Sequence, residues 1–105
     1  MNSVWYSFLQ KHNAVIENNC VSHYGNSSAE LKSTCSNTVI ADLSHFGLIH
    51  FSGEDASAFL QGQLSCDVRK IDHCTAQYGS CCTPKGRMLA SFLIWQNSSG
   101  YLMQI

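Results

Sequence analysis

The stretch TAQYGSCCTPKGRMLASFLIW, residues 75–95, decides the fold because it places two β-prone runs on either side of a Pro-Lys pair. Pro84 has the φ that a type I turn requires at its second position, and Gly86 stands at the last position of that turn. Residues 88–95 are apolar at nearly every position, which is typical of a strand covered on both faces. We therefore predict a β-hairpin whose second strand is central in a sheet.

Elements of both types surround this hairpin. Residues 48–51 are apolar enough to predict a buried strand, and Ser52 with Asp55 is a start signal for a helix over about residues 54–63. Another strand is expected at residues 101–105, and we expect it to have an unpaired edge. The order of these elements predicts an α+β fold in which helices pack on an antiparallel or mixed sheet.

The beginning of the chain is different in composition. Ser3 is expected as the N-cap of a first helix, and residues 17–37 are rich in Asn, Ser and Gly, as in a surface connection. We therefore predict two parts, an N-terminal helix with a polar connection at residues 1–38 and a domain at residues 39–105.

Composition limits the classes of function. The 105 residues are 45% hydrophobic and 12% charged, which predicts a folded domain. The net charge of -1 gives no positive field for nucleic acid, so we expect no direct nucleic-acid binding. No apolar run approaches the roughly 20 residues of a membrane span, and no export signal is visible, so we expect a cytoplasmic protein with no membrane contact and six reduced cysteines.

Four motifs resemble those of the superfamily that contains YgfZ-type proteins and the glycine-cleavage T-protein. They are DLSHFG at 42–47, SGEDA at 52–56, FLQGQLSCDV at 59–68 and TPKGRMLASF at 83–92. The resemblance covers about residues 39–95. It implies an incomplete T-protein-like, folate-binding N-terminal domain, cut short at its C-terminus, with tetrahydrofolate as the cofactor.

The same resemblance bears on activity. T-proteins, which are aminomethyltransferases, have two adjacent aspartates in the strand after the hairpin, where this sequence has Ala90 and Ser91. Neither side chain can supply a carboxylate to act on the folate amine, so aminomethyl transfer is disfavoured and we expect no catalytic residue. YgfZ-like proteins are associated with the maintenance of iron-sulfur enzymes and with tRNA modification, through a later Lys-Gly-Cys-Tyr motif that these residues lack. The resemblance thus implies a folate-binding, YgfZ-like fragment whose partners include iron-sulfur proteins, with weak or no folate affinity in isolation.

Two cations are the first candidates for contact with folate. Lys85 and Arg87 lie at the hairpin turn, where they could meet the acidic glutamate tail of the ligand. The alternative is that both are solvated turn residues. Phe46 occupies the place where T-proteins often have a Met near the pterin, although an aromatic residue before a strand is also typical of a core.

Three polar residues after the second predicted helix are further candidates. Gln63, Ser65 and Asp67 fit the family's Gln-x-Thr-x-Asp-Val pattern, with Ser65 in place of the usual Thr. A helix cap or a turn network explains the same residues without a ligand.

Two other readings of the residues remain. The six cysteines and five histidines include common metal ligands, but no Cys-x-x-Cys occurs and adjacent residues Cys81 and Cys82 would point to opposite faces of a strand, so no metal site is predicted. In the alternative function, the chain is a structural or interaction fragment whose open strand after Gly100 pairs with another chain, including a second copy of itself, by β-augmentation.

Overall fold

The computed structural model describes all 105 residues, and they form two compact units, residues 1–45 and residues 46–105. The first unit contains α1 (Ser3–Lys11), β1 (Val15–Glu17), β2 (Cys20–His23) and α2 (Ser27–Ser36). The second contains β3 (Leu48–Phe51), α3 (Ala56–Gln63), a 3-10 turn (Val68–Lys70), β4 (Ala76–Cys82), β5 (Met88–Asn97) and β6 (Gly100–Gln104). All strand pairs are antiparallel, and the predicted α+β class is confirmed. None of the helices is both long and apolar enough to cross a bilayer. The division at residue 38 stays a prediction.

Helix α1 begins at Ser3 itself, so its N-cap lies one residue earlier than expected. Asn2, in an extended conformation, is the N-cap, and its Oδ1 accepts hydrogen bonds from the backbone N–H groups of Val4 at 2.8 Å and Trp5 at 3.4 Å. The expectation of Ser3 at this position is therefore wrong, because Asn and Ser are comparable N-caps and Asn2 stands one residue earlier. Leu9 is the buried residue of the helix.

The rest of the first unit is more regular than a polar connection. Strands β1 and β2 form a hairpin whose two turn residues, Asn18 and Asn19, have φ of 50° and 65°. Left-handed values at both central positions are typical of the type I′ turn, which Asn tolerates well. Helix α2 follows, with Asn26 as its N-cap accepting from the Ala29 N–H, while Glu30 accepts from the Asn26 N–H.

The second unit is built on a four-stranded sheet in the order β3-β6-β5-β4. The predicted hairpin is β4 and β5, and the prediction of a central second strand is confirmed, since β5 pairs with β4 and with β6. Gly86 N–H donates to the Thr83 carbonyl at 2.8 Å, the bond expected of the predicted turn, and Thr83 N–H donates to the Arg87 carbonyl at 2.8 Å. Gly86 has φ of 81°, which suits a residue without a Cβ.

Two predictions about the other strands are wrong. Strand β6 lies between β3 and β5, so the last strand has partners on both sides and offers no open edge. The apolar run Leu48–Phe51 is an edge strand, and Leu48 is 61% exposed, so the strand is not buried. Pairing between β3 and β6 joins segments some 50 residues apart, and local periodicity carries no signal for such a contact.

The core lies on one face of this sheet. Helix α3 and the segment after it place Leu60 and Val68 against Phe92, Ile94 and Met103, all five of which are at most 5% exposed. The helix starts at Ala56, two residues later than predicted, and Asp55 makes no side-chain capping bond. The sheet is therefore covered on one face by α3 and the 3-10 turn, which both come before the hairpin in the sequence.

Candidate functional site

The turn between β4 and β5 presents both cations that the sequence singled out. Lys85 and Arg87 are exposed, and neither is paired with a carboxylate. The backbone of Arg87 is held by its N–H, which donates to Thr83 Oγ1 at 3.1 Å, and by its carbonyl, which accepts from the Thr83 N–H. The turn is thus fixed by the backbone while the charged ends of the side chains stay available to an anionic group.

Ser65 joins the segment after α3 to strand β4. Its backbone N–H donates to the Ser80 carbonyl at 2.9 Å, and its Oγ accepts from the Ser80 N–H at 2.8 Å. The two hydroxyls lie 3.2 Å apart, and Ser91 pairs with Ser80 across β4 and β5. Three serines therefore lie side by side. The hydrogen bonds of Ser65 are those expected of a turn network, which was the alternative to ligand binding at this residue.

The pairing of β4 with β5 also sets the orientation of Ala90 and Ser91, the two positions at which T-proteins have aspartates. Ala90 is paired with Cys81, a partner of the core, whereas Ser91 is paired with Ser80 and points to the opposite face of the sheet. Of the two positions, Ser91 therefore lies on the face opposite the core, and it carries a hydroxyl.

Phe46 lies at the same end of the sheet. Backbone bonds between Gly47 and Ile105, at 2.8 and 3.0 Å, extend the pairing of β3 and β6 to Gly47. Phe46 lies one residue before this pairing, at a bend outside strand β3. Phe46 is 45% exposed.

We call this region the hairpin end and define it by Phe46, Ser65, Ser80, Ser91 and the turn residues 83–87. It includes four of the six predicted site residues, Phe46, Ser65, Lys85 and Arg87. An aromatic ring, four hydroxyls and two cations without a carboxylate partner belong to this region. Such a mixture of apolar, hydrogen-bonding and positively charged groups suits an anionic, partly aromatic ligand.

The remaining two candidate residues, Asp67 and Gln63, are not part of the hairpin end. Asp67 is the N-cap of the 3-10 turn and forms an ion pair with Arg69, in which Nε lies 2.8 Å from Oδ1. Hydrogen bonding to the Arg69 side chain lowers the pKa of Asp67 below its ordinary value. Gln63 is exposed at the last position of α3. Asp67 is thus held by a neighbour in the chain rather than left for a ligand.

Two residues that organise this region were not predicted from the sequence. Gln61 Oε1 accepts a hydrogen bond from the Val68 N–H at 2.8 Å, which ties the 3-10 turn to α3. Ser80 receives the Ser65 contacts described above. Neither residue carried a local signal, because a Gln inside a helix and a Ser inside a strand are ordinary surface residues until the fold gives them partners.

The cysteines and histidines have side chains of the types that commonly bind metal ions. All six cysteines are free thiols, and burial raises the pKa of the Cys66 thiol. No three His, Cys, Asp or Glu side chains come together closely enough to hold a metal ion.

Residues 3–104 match the GCVT N-terminal domain family, and the chain belongs to that family. The chain is 39% identical over 66 residues to the tRNA-modifying protein YgfZ of Colwellia psychrerythraea, covering 63% of this chain and 20% of that protein. It is 34% identical over 61 residues to YgfZ of Vibrio vulnificus, covering 58% and 19%.

Aminomethyltransferases are similar as well. The enzyme of Bacillus velezensis is 40% identical over 65 residues, which cover 61% of this chain and 18% of the enzyme. The chain therefore spans about a fifth of the length of the curated relatives it matches. The predicted resemblance to the YgfZ and T-protein superfamily is confirmed.

Proposed function

We propose that this chain supplies part of a tetrahydrofolate site in a YgfZ-like protein that is not an aminomethyltransferase. By resemblance, that protein supports iron-sulfur enzymes or the modification of tRNA, and iron-sulfur proteins are among its partners. The observation that carries the proposal is the pair of unpaired cations, Lys85 and Arg87, at the hairpin end of a chain in the GCVT N-terminal domain family.

The residues present fit the acidic part of this ligand. The glutamate tail of tetrahydrofolate carries carboxylates, and two exposed cations on a backbone-fixed turn can bind them by charge-assisted hydrogen bonds. Arg69 is less suited to this role because its guanidinium is already paired with Asp67. Lys85 and Arg87 would therefore bind the tail, and Asp67 would serve the fold.

The other groups of the hairpin end would contact the rest of the ligand. Phe46 offers an aromatic surface on which a pterin could stack, and the Ser91 hydroxyl offers a donor and an acceptor on the same side of the sheet as Ser80. Gln63, exposed at the end of α3, would add an amide near Ser65. Tetrahydrofolate, when bound, would supply a carrier for one-carbon groups.

Aminomethyl transfer remains the less favoured activity. The observation in favour of this activity is the 40% identity over 65 residues to an aminomethyltransferase. Ala90 has no titratable group and Ser91 carries a hydroxyl in place of a carboxylate, so the chain has no carboxylic acid or base at either position. Formation of methylene-tetrahydrofolate from an aminomethylated carrier protein would contradict the proposal.

The test is a titration of the 105-residue chain with tetrahydrofolate, followed by the shifts of backbone amide signals in NMR spectra. We expect weak binding, with a Kd on the order of 1 mM, because much of the relatives' length lies outside this chain. The shifts should concentrate at Lys85, Arg87 and Ser91. A tight, saturable titration in the low micromolar range would contradict the expected weakness.

Matched variants test whether Lys85 and Arg87 act through their position or only through the net charge of the chain. The double variant K85Q/R87Q should weaken binding by about tenfold, since charge-assisted hydrogen bonds contribute about 1.5–3 kcal/mol each and exposure reduces this. The double variant K11Q/K32Q removes the same two charges from the first unit and should leave binding unchanged. Equal loss in the two double variants would reject the assigned residues, and so would unchanged binding in K85Q/R87Q.

A further inference from the structure

The first unit contains a cleft that has no role in the proposed folate site. It is lined by residues of β2, of α2 and of the segment 39–42, and its volume is about 660 Å³. Pockets that bind small molecules typically have volumes of roughly 300–1,000 Å³, with apolar walls and a few polar groups that converge. The cleft is therefore large enough for a small ligand, and it shares no residue with the hairpin end.

The walls of the cleft leave apolar surface in contact with water. They include Val21 from β2, Leu31 from α2 and Val39 from the segment that follows α2. Leu31 is 70% exposed and Val39 is 47% exposed. A ligand with an apolar body would cover this surface, and the removal of apolar surface from water would favour its binding.

One carboxylate in the cleft is fixed by the backbone. Glu30 Oε1 accepts hydrogen bonds from the backbone N–H groups of Tyr24 at 2.9 Å and Asn26 at 3.1 Å. The other oxygen, Oε2, has no hydrogen-bond partner, and Glu30 forms no ion pair. Glu30 thus has one oxygen that sets its position and a second that can accept a charge-assisted hydrogen bond from a cation.

A second carboxylate lines the cleft from the segment 39–42. Asp42 Oδ1 accepts from Ser44 and Trp5, and the bond from Ser44 lowers the pKa of Asp42, so this group is charged at neutral pH. Its Oδ2 is buried and has no hydrogen-bond partner. A buried acceptor without a donor costs free energy, and a positive charge nearby would offset that cost by stabilising the carboxylate.

The phenol of Tyr24 lies in the field of both carboxylates. Tyr24 lines the cleft, and its hydroxyl makes no hydrogen bond. Burial is the main cause that raises the pKa of Tyr24, and the charges of Asp42 and Glu30 raise it further. Both carboxylates therefore act on one aromatic ring. An aromatic face beside negative charge is a favourable place for an ammonium ion.

No positive side chain balances these charges within the cleft. The residues that line it include no Lys and no Arg. His23 Nδ1 accepts a hydrogen bond from the Gly25 N–H at 3.0 Å, which a neutral imidazole can do and a doubly protonated one cannot. The cleft thus carries the two negative charges of Glu30 and Asp42 without compensation.

We propose that this cleft binds a small organic ammonium ion that has an apolar body. The ammonium group donates to Glu30 Oε2 and lies against the ring of Tyr24, in the field of Asp42. The apolar body lies against Leu31 and Val39. An anionic ligand such as folate is excluded from the cleft by the two carboxylates, so this site is separate from the proposed folate site.

The test is an NMR titration of the 105-residue chain with 2-phenylethylamine, which is an ammonium ion at neutral pH. We expect saturable shifts of backbone amide signals within residues 21–42, with a Kd on the order of 0.1 mM. 2-Phenylethanol has the same apolar body without the charge and should bind about fivefold more weakly, since exposure reduces the gain from a charge-assisted bond. Equal affinities for the two compounds would overturn the proposal, and so would the absence of saturable shifts within residues 21–42.

Variants that remove one charge test the two carboxylates. Glu30→Gln and Asp42→Asn each keep an oxygen that can accept the hydrogen bonds now made by Oε1 and Oδ1. Each should weaken the binding of 2-phenylethylamine by about fivefold and leave that of 2-phenylethanol unchanged. Glu17→Gln removes the same charge from an exposed residue of β1 outside the cleft and should change neither affinity. An equal loss in Glu17→Gln and Glu30→Gln would overturn the proposal.

A bulky side chain tests the cleft as the place of binding. Ser33 is half-buried and lines the cleft from α2, whereas Ser28 is exposed on the same helix and does not line it. Ser33→Phe should abolish the binding of both compounds, and Ser28→Phe should change neither affinity. Unchanged binding by a folded Ser33→Phe variant would overturn the proposal. Folate is absent from each of these measurements, so their failure and the failure of the proposed function are distinct.

Discussion

At the scale of the residue, single polar side chains hold the segment after α3 in place. Ser65 binds the backbone of Ser80 in both directions, Gln61 binds the N–H of Val68, and Asp67 is paired with Arg69. Each of these contacts orders a short irregular stretch that has little apolar surface of its own. Polar residues that look like ligand contacts in the sequence thus have structural partners in the fold.

The role of Ser65 can be measured. Ser65→Ala removes the acceptor of the Ser80 N–H and should lower the free energy of unfolding by about 1 kcal/mol, the usual contribution of one hydrogen bond. Urea denaturation is the measurement. Ser28→Ala, on the exposed face of α2, is the control and should change stability by less than about 0.5 kcal/mol. If the stability of Ser65→Ala were unchanged, the structural role of the Ser65 hydroxyl would be contradicted.

At the scale of the element, close packing within the second unit depends on one missing side chain. Gly79 lies opposite Phe92 across β4 and β5, and a Cβ at Gly79 would lie 2.8 Å from two ring atoms. The Phe92 ring therefore occupies the space that another residue at position 79 would fill. Gly62, inside α3, has no atom within 4 Å of the corresponding position.

These two glycines make a matched pair for mutation. Gly79→Ala should destabilise the protein by about 1–3 kcal/mol because it overpacks the core. Gly62→Ala should stabilise it by about 0.5–1 kcal/mol, since Ala is the better helix former. Thermal or urea unfolding of the two variants gives both signs. Loss of stability in Gly62→Ala, or a gain in Gly79→Ala, would contradict the packing described here.

Elements and the β4–β5 hairpin were largely predictable at this scale, and the pairing of strands distant in the sequence was not. The hairpin of β4 and β5 followed from Pro84 and Gly86, because turn chemistry acts over four residues. The hairpin of β1 and β2 was missed although Asn18 and Asn19 carry its signal, since strands of three and four residues give almost no periodicity. The candidate site residues stay a prediction, and the contact of Ser65 with Ser80 emerges only from the register.

At the scale of the whole molecule, ionisable groups with shifted pKa values determine how stability depends on pH. In the first unit, Asp42 Oδ1 accepts hydrogen bonds from Ser44 Oγ at 2.6 Å and Trp5 Nε1 at 2.8 Å. The bond from Ser44 is the main cause that lowers the pKa of Asp42. Burial is the main cause that raises the pKa of Tyr24.

The sign of the acid effect follows from the lowered pKa. A carboxyl whose pKa is lower in the folded state stabilises the fold above its unfolded pKa, and that contribution disappears as pH falls through the folded pKa. The Tm of Ser44→Ala should therefore lie below that of the parent at pH 7, and the difference should shrink on acidification below about pH 4. Ser28→Ala is again the control. A difference that stays constant with pH would show that Ser44 acts by packing alone.

The α+β class, the hairpin, its central strand and the family could all be inferred from the amino-acid sequence, because turn residues, apolar runs and ordered motifs are local properties. Only the tertiary structure decided that β6 lies between β3 and β5, that Leu48 faces solvent and that Ser80 meets Ser65. Strand neighbours and covering layers depend on contacts between distant segments, and their free energy is set by which surfaces meet. Local composition cannot encode that choice.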